Sequence, residues 1–360
     1  MRKTVLLSAF LLAFAFMTEA KESRSADSPC FTYIGRTLVQ GGKVSYDWTG
    51  VTAVVSFKGK YLEMRYQDSG TNYVNVWVDK EPCAVPDFVL TLGGSALVPV
   101  VENLKKEEHT VYIQKRTEGE QGKITLEEFI TDGNFLQARG LKERKLLFVG
   151  DSYTCGYGTE AAGRDEPFRA SEENPSLTYA AIVGRYFNAD VVTVSHSGRG
   201  IVRNYGDAAA KTMPQKYAHV FDSEEGSSPL WKASAYVPAL VVIYLGTNDF
   251  SVGKQPSLGF WCAGYADLLR QIRADYPSAP ILCLASKADE KMAAYVEEAV
   301  RRSGVSNVHW SAVHASALND TSDLGASWHP NYAGHRKVAS VLIPSVSTIT
   351  GWEMPLSVVE

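Results

Sequence analysis

Ser152 sits in the string Gly150-Asp151-Ser152-Tyr153-Thr154-Cys155-Gly156-Tyr157-Gly158, directly after the apolar run Leu146-Leu147-Phe148-Val149. An apolar, β-prone run that stops at glycine and then presents a serine is how an α/β sheet exposes a hydroxyl at the carboxyl edge of a strand. Ser152 is therefore a candidate nucleophile. A serine hydroxyl attacks poorly until a base removes its proton, so a histidine has to come within hydrogen-bond reach. Acyl transfer also builds negative charge on a carbonyl oxygen, and donors positioned in advance at that oxygen are usually the largest catalytic contribution. Three further segments offer groups of these kinds. They are Ser197-Gly198-Arg199-Gly200, then Leu245-Gly246-Thr247-Asn248-Asp249 after an apolar run, and Trp328-His329-Pro330-Asn331.

In this order and spacing, over roughly residues 144–345, the blocks resemble those of the SGNH (GDSL-type) hydrolase superfamily; several separated blocks are far more specific together than one alone. The fuller strings GDSYTCGYGTE, SGRGIVRN, LGTND and WHPNYAGH look like the two-domain carbohydrate esterases of family 2, which remove O-acetyl groups from plant polysaccharides. The resemblance implies that Ser152 is the nucleophile and His329 its base. It also implies an oxyanion hole made of the backbone N–H groups of Ser152 and Gly198 and the side-chain amide of Asn248. Glycine suits position 198 if a substrate oxygen approaches the main chain closely, and Gly200 is a rival. Asn248 is otherwise a turn former, as Asn-Asp pairs are. Asp151 and Asp249 are expected to bond nearby backbone N–H groups rather than do chemistry.

One block departs from the superfamily pattern. Most members place an aspartate three residues before the histidine, and this chain has Ala326 there. Family 2 includes Ser-His dyads in which a main-chain carbonyl holds the imidazole, while Asp323 is the alternative orienter. Trp328, Tyr153, Tyr157 and Trp261 are aromatic residues in or near the blocks; each could stack on a sugar or fill the core. Arg199 could meet a polar substrate or lie on a solvated loop. The resemblance thus implies a serine esterase acting on acetylated xylan, glucomannan or related oligosaccharides, and no cofactor is expected. An acyltransferase, an esterase of another substrate class and an inactive carbohydrate-binding protein are the alternatives.

The elements that must position these groups fall into two sets. At 360 residues the chain exceeds one average domain. Residues 30–137 read as short strands rich in β-branched and aromatic residues between Gly, Asp and Asn turns, which predicts a β-sandwich or jelly roll. No nucleophile-base pair lies in that part, so it is expected to hold no catalytic residue. A polar stretch, 138–145, is the expected linker. From 146 to 350 apolar strands alternate with amphipathic segments such as 265–276 and 291–303, predicting an α/β/α layer structure with a parallel sheet.

Composition narrows the partners. A formal charge of −4 leaves no basic surplus for phosphates, which argues against nucleic acid. Arg2 and Lys3, the apolar run from Val5 to Met17, and Thr18-Glu19-Ala20 read as a leader over residues 1–20 cut by a signal peptidase. The run is too short for a stable membrane span, so secreted or periplasmic residence is expected. The five cysteines form no CxxC pair, and no metal site is expected; a Cys30–Cys83 bridge is conceivable.

Overall fold

The computed structural model describes residues 21–223, 228–286, 290–313 and 320–356; the expected leader, residues 1–20, lies outside them. Two sheets divide the chain. The first is built from β1 (Glu22–Ser25), β2 (Thr32–Ile34), β3 (Leu38–Gln40), β4 (Lys43–Tyr46) and β5 (Thr52–Gly59). It continues through β6 (Leu62–Val78), β7 (Phe88–Val101), β8 (Glu107–Lys115), β9 (Ile124–Thr131) and β10 (Asn134–Leu136). Pairing is antiparallel in the order β10-β5-β8-β6-β9-β4-β3, with β1 on β9, β2 on β5 and β7 on β6. β4 and the first half of β6 alternate buried and more exposed residues, the signature of strands with one face on a core. Trp48, Trp77, Phe57 and Phe129 fill that core.

The second sheet is parallel: β11 (Lys145–Gly150), β12 (Asp190–Ser195), β13 (Leu240–Tyr244), β14 (Ile281–Ser286) and β15 (Val308–Val313), ordered β12-β11-β13-β14-β15. Its helices are α1 (Ser152–Cys155), α2 (Tyr179–Tyr186), α3 (Met213–Tyr217), α4 (Leu258–Asp275), α5 (Glu290–Ser303) and α6 (Tyr332–Thr350). The central strands are apolar on both faces, as covered parallel strands must be. Leu146, Phe148, Leu240 and Val242 pack with α2 and α6, while Leu147, Val149, Val241 and Ile243 share a core with α4 and α5. The all-β half followed by an α/β/α half is the architecture expected from the sequence. α4 begins earlier than the amphipathic stretch 265–276 suggests, because Ser257 caps it and Trp261 and Cys262 extend its buried stripe.

Strand order fixes where a site can form. The chain leaves β11, adds β12 on one side and β13 on the other, and such a switch point opens a crevice at the carboxyl ends of the strands. Gly150 is in register with Ser195 on β12 and with Tyr244 on β13. The segments bearing Ser152, Gly198 and Asn248 therefore emerge side by side from three adjacent strands. All five cysteines are unpaired, so the conceivable Cys30–Cys83 bridge is not formed.

Candidate active site

Asp151 leaves β11 with φ −116° and ψ −149° and caps α1, its side chain accepting the Tyr153 N–H. Ser152 is the first residue of that turn, where a backbone N–H has no partner within the helix. Gly150 is required beneath it, since a Cβ there would stand 1.9 Å from Thr154 Oγ1.

His329 arrives from the far end of the chain, and its Nε2 lies 2.8 Å from Ser152 Oγ. Its Nδ1 is 3.0 Å from the carbonyl oxygen of Ser327. A carbonyl can only accept, so Nδ1 carries the proton and Nε2 is left to take one from the serine. This contact depends on an unusual backbone: Ser327 and Trp328 have φ of 51° and 65°. Left-handed non-glycine residues cost of order 1–3 kcal/mol each and persist only where the surroundings over-determine them. Four main-chain bonds do so here. Gly325 N–H donates to His329 O at 2.7 Å, Ala326 N–H to Gly158 O at 3.2 Å, Ser327 N–H to Glu166 O at 3.0 Å and Trp328 N–H to Arg164 O at 3.2 Å.

Ala326 is fully buried against Gly158, whose φ is +61° and where an added Cβ would fall 2.5 Å from that of Ala326. The position at which most of the superfamily has aspartate is thus packed tight. Asp323 does not replace it: its carboxylate pairs with Lys337 Nζ at 2.5 Å, and its carbonyl accepts the Asn331 N–H. Burial draws His329 below its ordinary pKa, partly offset by the carbonyls of Ser327 and Ala326. Tyr157 lies against the imidazole with ring centroids 4.3 Å apart and is itself stacked on Phe168 at 3.9 Å, while Tyr153 meets it edge-on at 5.6 Å.

Asn248 ties the strand ends together. Its Nδ2 donates to Arg199 O at 2.9 Å and to Asp151 Oδ2 at 3.2 Å. Asp151 is buried, which together with the nearby Asp249 and Glu118 pushes its carboxyl up to about 7. Gly198 has φ +75°, its carbonyl accepts the Tyr205 N–H at 2.8 Å, and among the described residues no acceptor takes its own N–H. Gly200 serves packing instead, because a Cβ there would lie 2.4 Å from Asp249 Oδ2. Asp249 accepts the N–H groups of Ile201, Val202 and Arg203 at 2.8–3.0 Å and so shapes the loop.

Ser152, Tyr153, Asn248, Trp328 and His329 line one cleft of about 450 Å³, with Tyr205, Phe250 and Met292 among the other walls. Trp328 is exposed, with the Arg164 guanidinium 4.1 Å from its ring centroid. Two residues read as either substrate contact or scaffold lie outside the cleft lining. Trp261 is fully buried in α4 among Tyr265, Phe250 and Tyr295, because its position falls on the helix stripe that faces the sheet. Arg199 joins the site through its carbonyl, and its side chain is not among the groups lining the cleft. Tyr205 and Phe250 carried no sequence signal, since each lies outside the four blocks and reaches the cleft only through loop folding.

Residues 148–337 match the model of the GDSL-like lipase/acylhydrolase family. The chain belongs to that family. Residues 33–138 match the model of the carbohydrate esterase 2 N-terminal domain. A cellulase/esterase, CelE, of Acetivibrio thermocellus is 32% identical over 346 residues, which cover 93% of this chain and 41% of the relative. The chain thus spans under half of that protein. An acetylxylan esterase/glucomannan deacetylase of Cellvibrio japonicus is 28% identical, with 91% of each chain covered. A family two carbohydrate esterase from Clostridium thermocellum, solved in complex with cellohexaose, is 29% identical with a TM-score of 0.82, covering 90% of this chain and all of that one.

Proposed function

We propose that this protein is an exported serine esterase that removes O-acetyl groups from plant cell-wall polysaccharides or their oligosaccharides, with residues 1–20 as the removed leader. The observation that carries the reading is the Ser152 Oγ–His329 Nε2 contact of 2.8 Å, with Nδ1 held at 3.0 Å by the Ser327 carbonyl, at the carboxyl edge of the parallel sheet. In acylation Ser152 Oγ attacks the acetyl carbonyl carbon as Nε2 takes its proton. The tetrahedral adduct expels the sugar oxygen, which leaves with that proton as an alcohol. Water then repeats the cycle on the acyl-enzyme, releasing acetate and returning Ser152. His329 works as half of a dyad, the carbonyl replacing the third member.

The N–H groups of Ser152 and Gly198 and the Asn248 amide receive the developing oxyanion. Asn248 exchanges its longer bond, to Asp151, for the substrate oxygen. Trp328 and Tyr153 flank the cleft where a sugar ring would stack. The β domain of residues 30–137, joined through 138–145 to the hydrolase domain of 146–350, completes the enzyme. Similarity to the Cellvibrio japonicus enzyme supports acetylated xylan and glucomannan as substrates. Acetate release from acetylated xylan, glucomannan and chitosan-type oligomers tests the reading. Turnover on at least one polymer, lost by orders of magnitude in Ser152→Ala, is the expected result. Release that survives Ser152→Ala would rule it out.

A further inference from the structure

Glu118 belongs to the β domain, in the connection between β8 and β9, yet it is fully buried against the hydrolase domain. Both of its carboxylate oxygens are used there. Oε2 accepts the backbone N–H of Ser197 at 2.5 Å, and Oε1 accepts the Ser197 hydroxyl. Ser197 is the residue immediately before Gly198. The neighbours on each side are tied as well: Asp222 Oδ2 takes the Gly119 N–H at 3.1 Å and contacts His196 Nδ1 at 2.6 Å. Two consecutive residues of the β domain, 118 and 119, are thereby closed into a ring with two consecutive residues past β12, 196 and 197.

The ring is rigid for identifiable reasons. Asp222 is itself paired with Lys216 Nζ at 3.0 Å, and its main-chain N–H donates to Asp47 of the β domain at 2.8 Å. Gly119 has no room for a side chain, since a Cβ would meet Asp222 Oδ2 at 2.7 Å. Glu173 Oε2 accepts the Glu118 N–H at 3.3 Å, and burial together with the adjacent Glu118 carboxylate holds the Glu173 carboxyl well above its ordinary range. Charge-assisted bonds to a buried carboxylate are short and directional, so they set the orientation of the peptide they hold.

We propose that Glu118 is a positioning residue for the oxyanion donor of Gly198, so that the β domain acts on the chemical step through the Ser197–Gly198 peptide. This rests on the esterase reading of the Ser152 site. Glu118 touches no substrate. It fixes the plane of a loop whose next peptide must point at an oxygen that becomes charged only in the transition state. A donor moved by about 1 Å loses of order 10² in rate, without weakening ground-state binding.

The test uses the full-length protein and a small aryl acetate, which needs no polysaccharide contact. Glu118→Ala should lower kcat by about 10² with KM within about twofold of wild type. Glu118→Gln keeps an acceptor for the Ser197 N–H and can donate to its hydroxyl, so it should recover kcat to within several-fold of wild type. An unchanged kcat in Glu118→Ala, or a raised KM at constant kcat, overturns the proposal. If Glu118→Ala does not fold, Ser197→Ala decides: it removes only the hydroxyl arm from a half-buried loop residue and should lower kcat by about tenfold. A kcat within about twofold of wild type in that variant overturns the proposal. Labelling of wild-type Ser152 by a fluorophosphonate separates the two readings. A wild-type chain neither labelled nor active overturns the esterase reading and this one with it. An active, labelled wild type with unaffected variants overturns this one alone.

Discussion

His329 is oriented by a carbonyl where most of its superfamily uses a carboxylate, and the two acceptors give the transition state different things. Either fixes the ring and its tautomer, but a carboxylate also stabilises the imidazolium. In the reference serine-protease triad, neutralising that carboxylate costs about 10⁴ in kcat. Here Asp323 is occupied by Lys337, so Asp323→Asn should keep kcat within about an order of magnitude, while His329→Ala should lose orders of magnitude. A loss near 10⁴ in Asp323→Asn with the fold intact would defeat the dyad. The pH profile follows from the same residue. As the proposed base, His329 acts only when neutral, and burial lowers its pKa, so activity should fall with decreasing pH through a midpoint below the ordinary value of about 6.5. A kcat/KM profile whose acid limb lay above that value would contradict this. Asn248→Ala should lower kcat by about 10² to 10³ with little change in KM, the usual loss for one oxyanion donor. A rise in KM alone would make Asn248 a binding residue.

At the scale of elements, the histidine loop is a template built on Gly158. The Gly158 carbonyl accepts the Ala326 N–H, and its missing side chain lets Ala326 pack against it. Gly158→Ala brings a Cβ to 2.5 Å from that of Ala326 at a φ of +61°, which pushes residues 325–329 outward. The expected result is a kcat loss of about 10² with retained secondary structure, read by circular dichroism and aryl acetate turnover. Wild-type turnover would show that the loop absorbs the displacement. The same element marks the limit of what the sequence could tell. Ser152, Gly198, Asn248 and His329 were legible as candidates because the order and spacing of their blocks resemble a known superfamily, and the segments that carry the first three leave adjacent strand ends. A main-chain carbonyl beside His329 was one of two acceptors the resemblance offered, but Ser327 as its source was not legible, since the left-handed pair 327–328 depends on bonds to residues 158–166, far away in the chain. Trp261 was ambiguous for a related reason: its place on the buried stripe of α4 follows from a helix start that Gly259 and Gly264 obscure.

At the scale of the whole molecule, the two sheets share more than a linker. Buried apolar contacts run without a break from Phe31, Trp48 and Trp77 of the β domain into Val192, Val194 and the α4 face of the parallel sheet. A polar layer crosses the same boundary. Arg116 is almost fully buried, donating to Glu173 O at 2.8 Å, Ser171 O at 3.0 Å and the Glu160 carboxylate, while Asn75 Nδ2 reaches Asn174 Oδ1 at 3.0 Å. None of these partners could be paired from sequence, because each joins positions tens of residues apart with no shared local pattern. Separating the halves would expose the apolar surface and strand buried donors and carbonyls at the same time. Leaving a buried acceptor without its donor typically costs about 1–3 kcal/mol. Arg116→Met should therefore lower the urea midpoint substantially, and the loss should register equally in far-ultraviolet circular dichroism and in tryptophan fluorescence. Coincident curves are the test of a single cooperative unit. Two resolved transitions, with the parallel-sheet half melting independently at its wild-type midpoint, would show that the domains stand alone and that the layer around Arg116 only docks them.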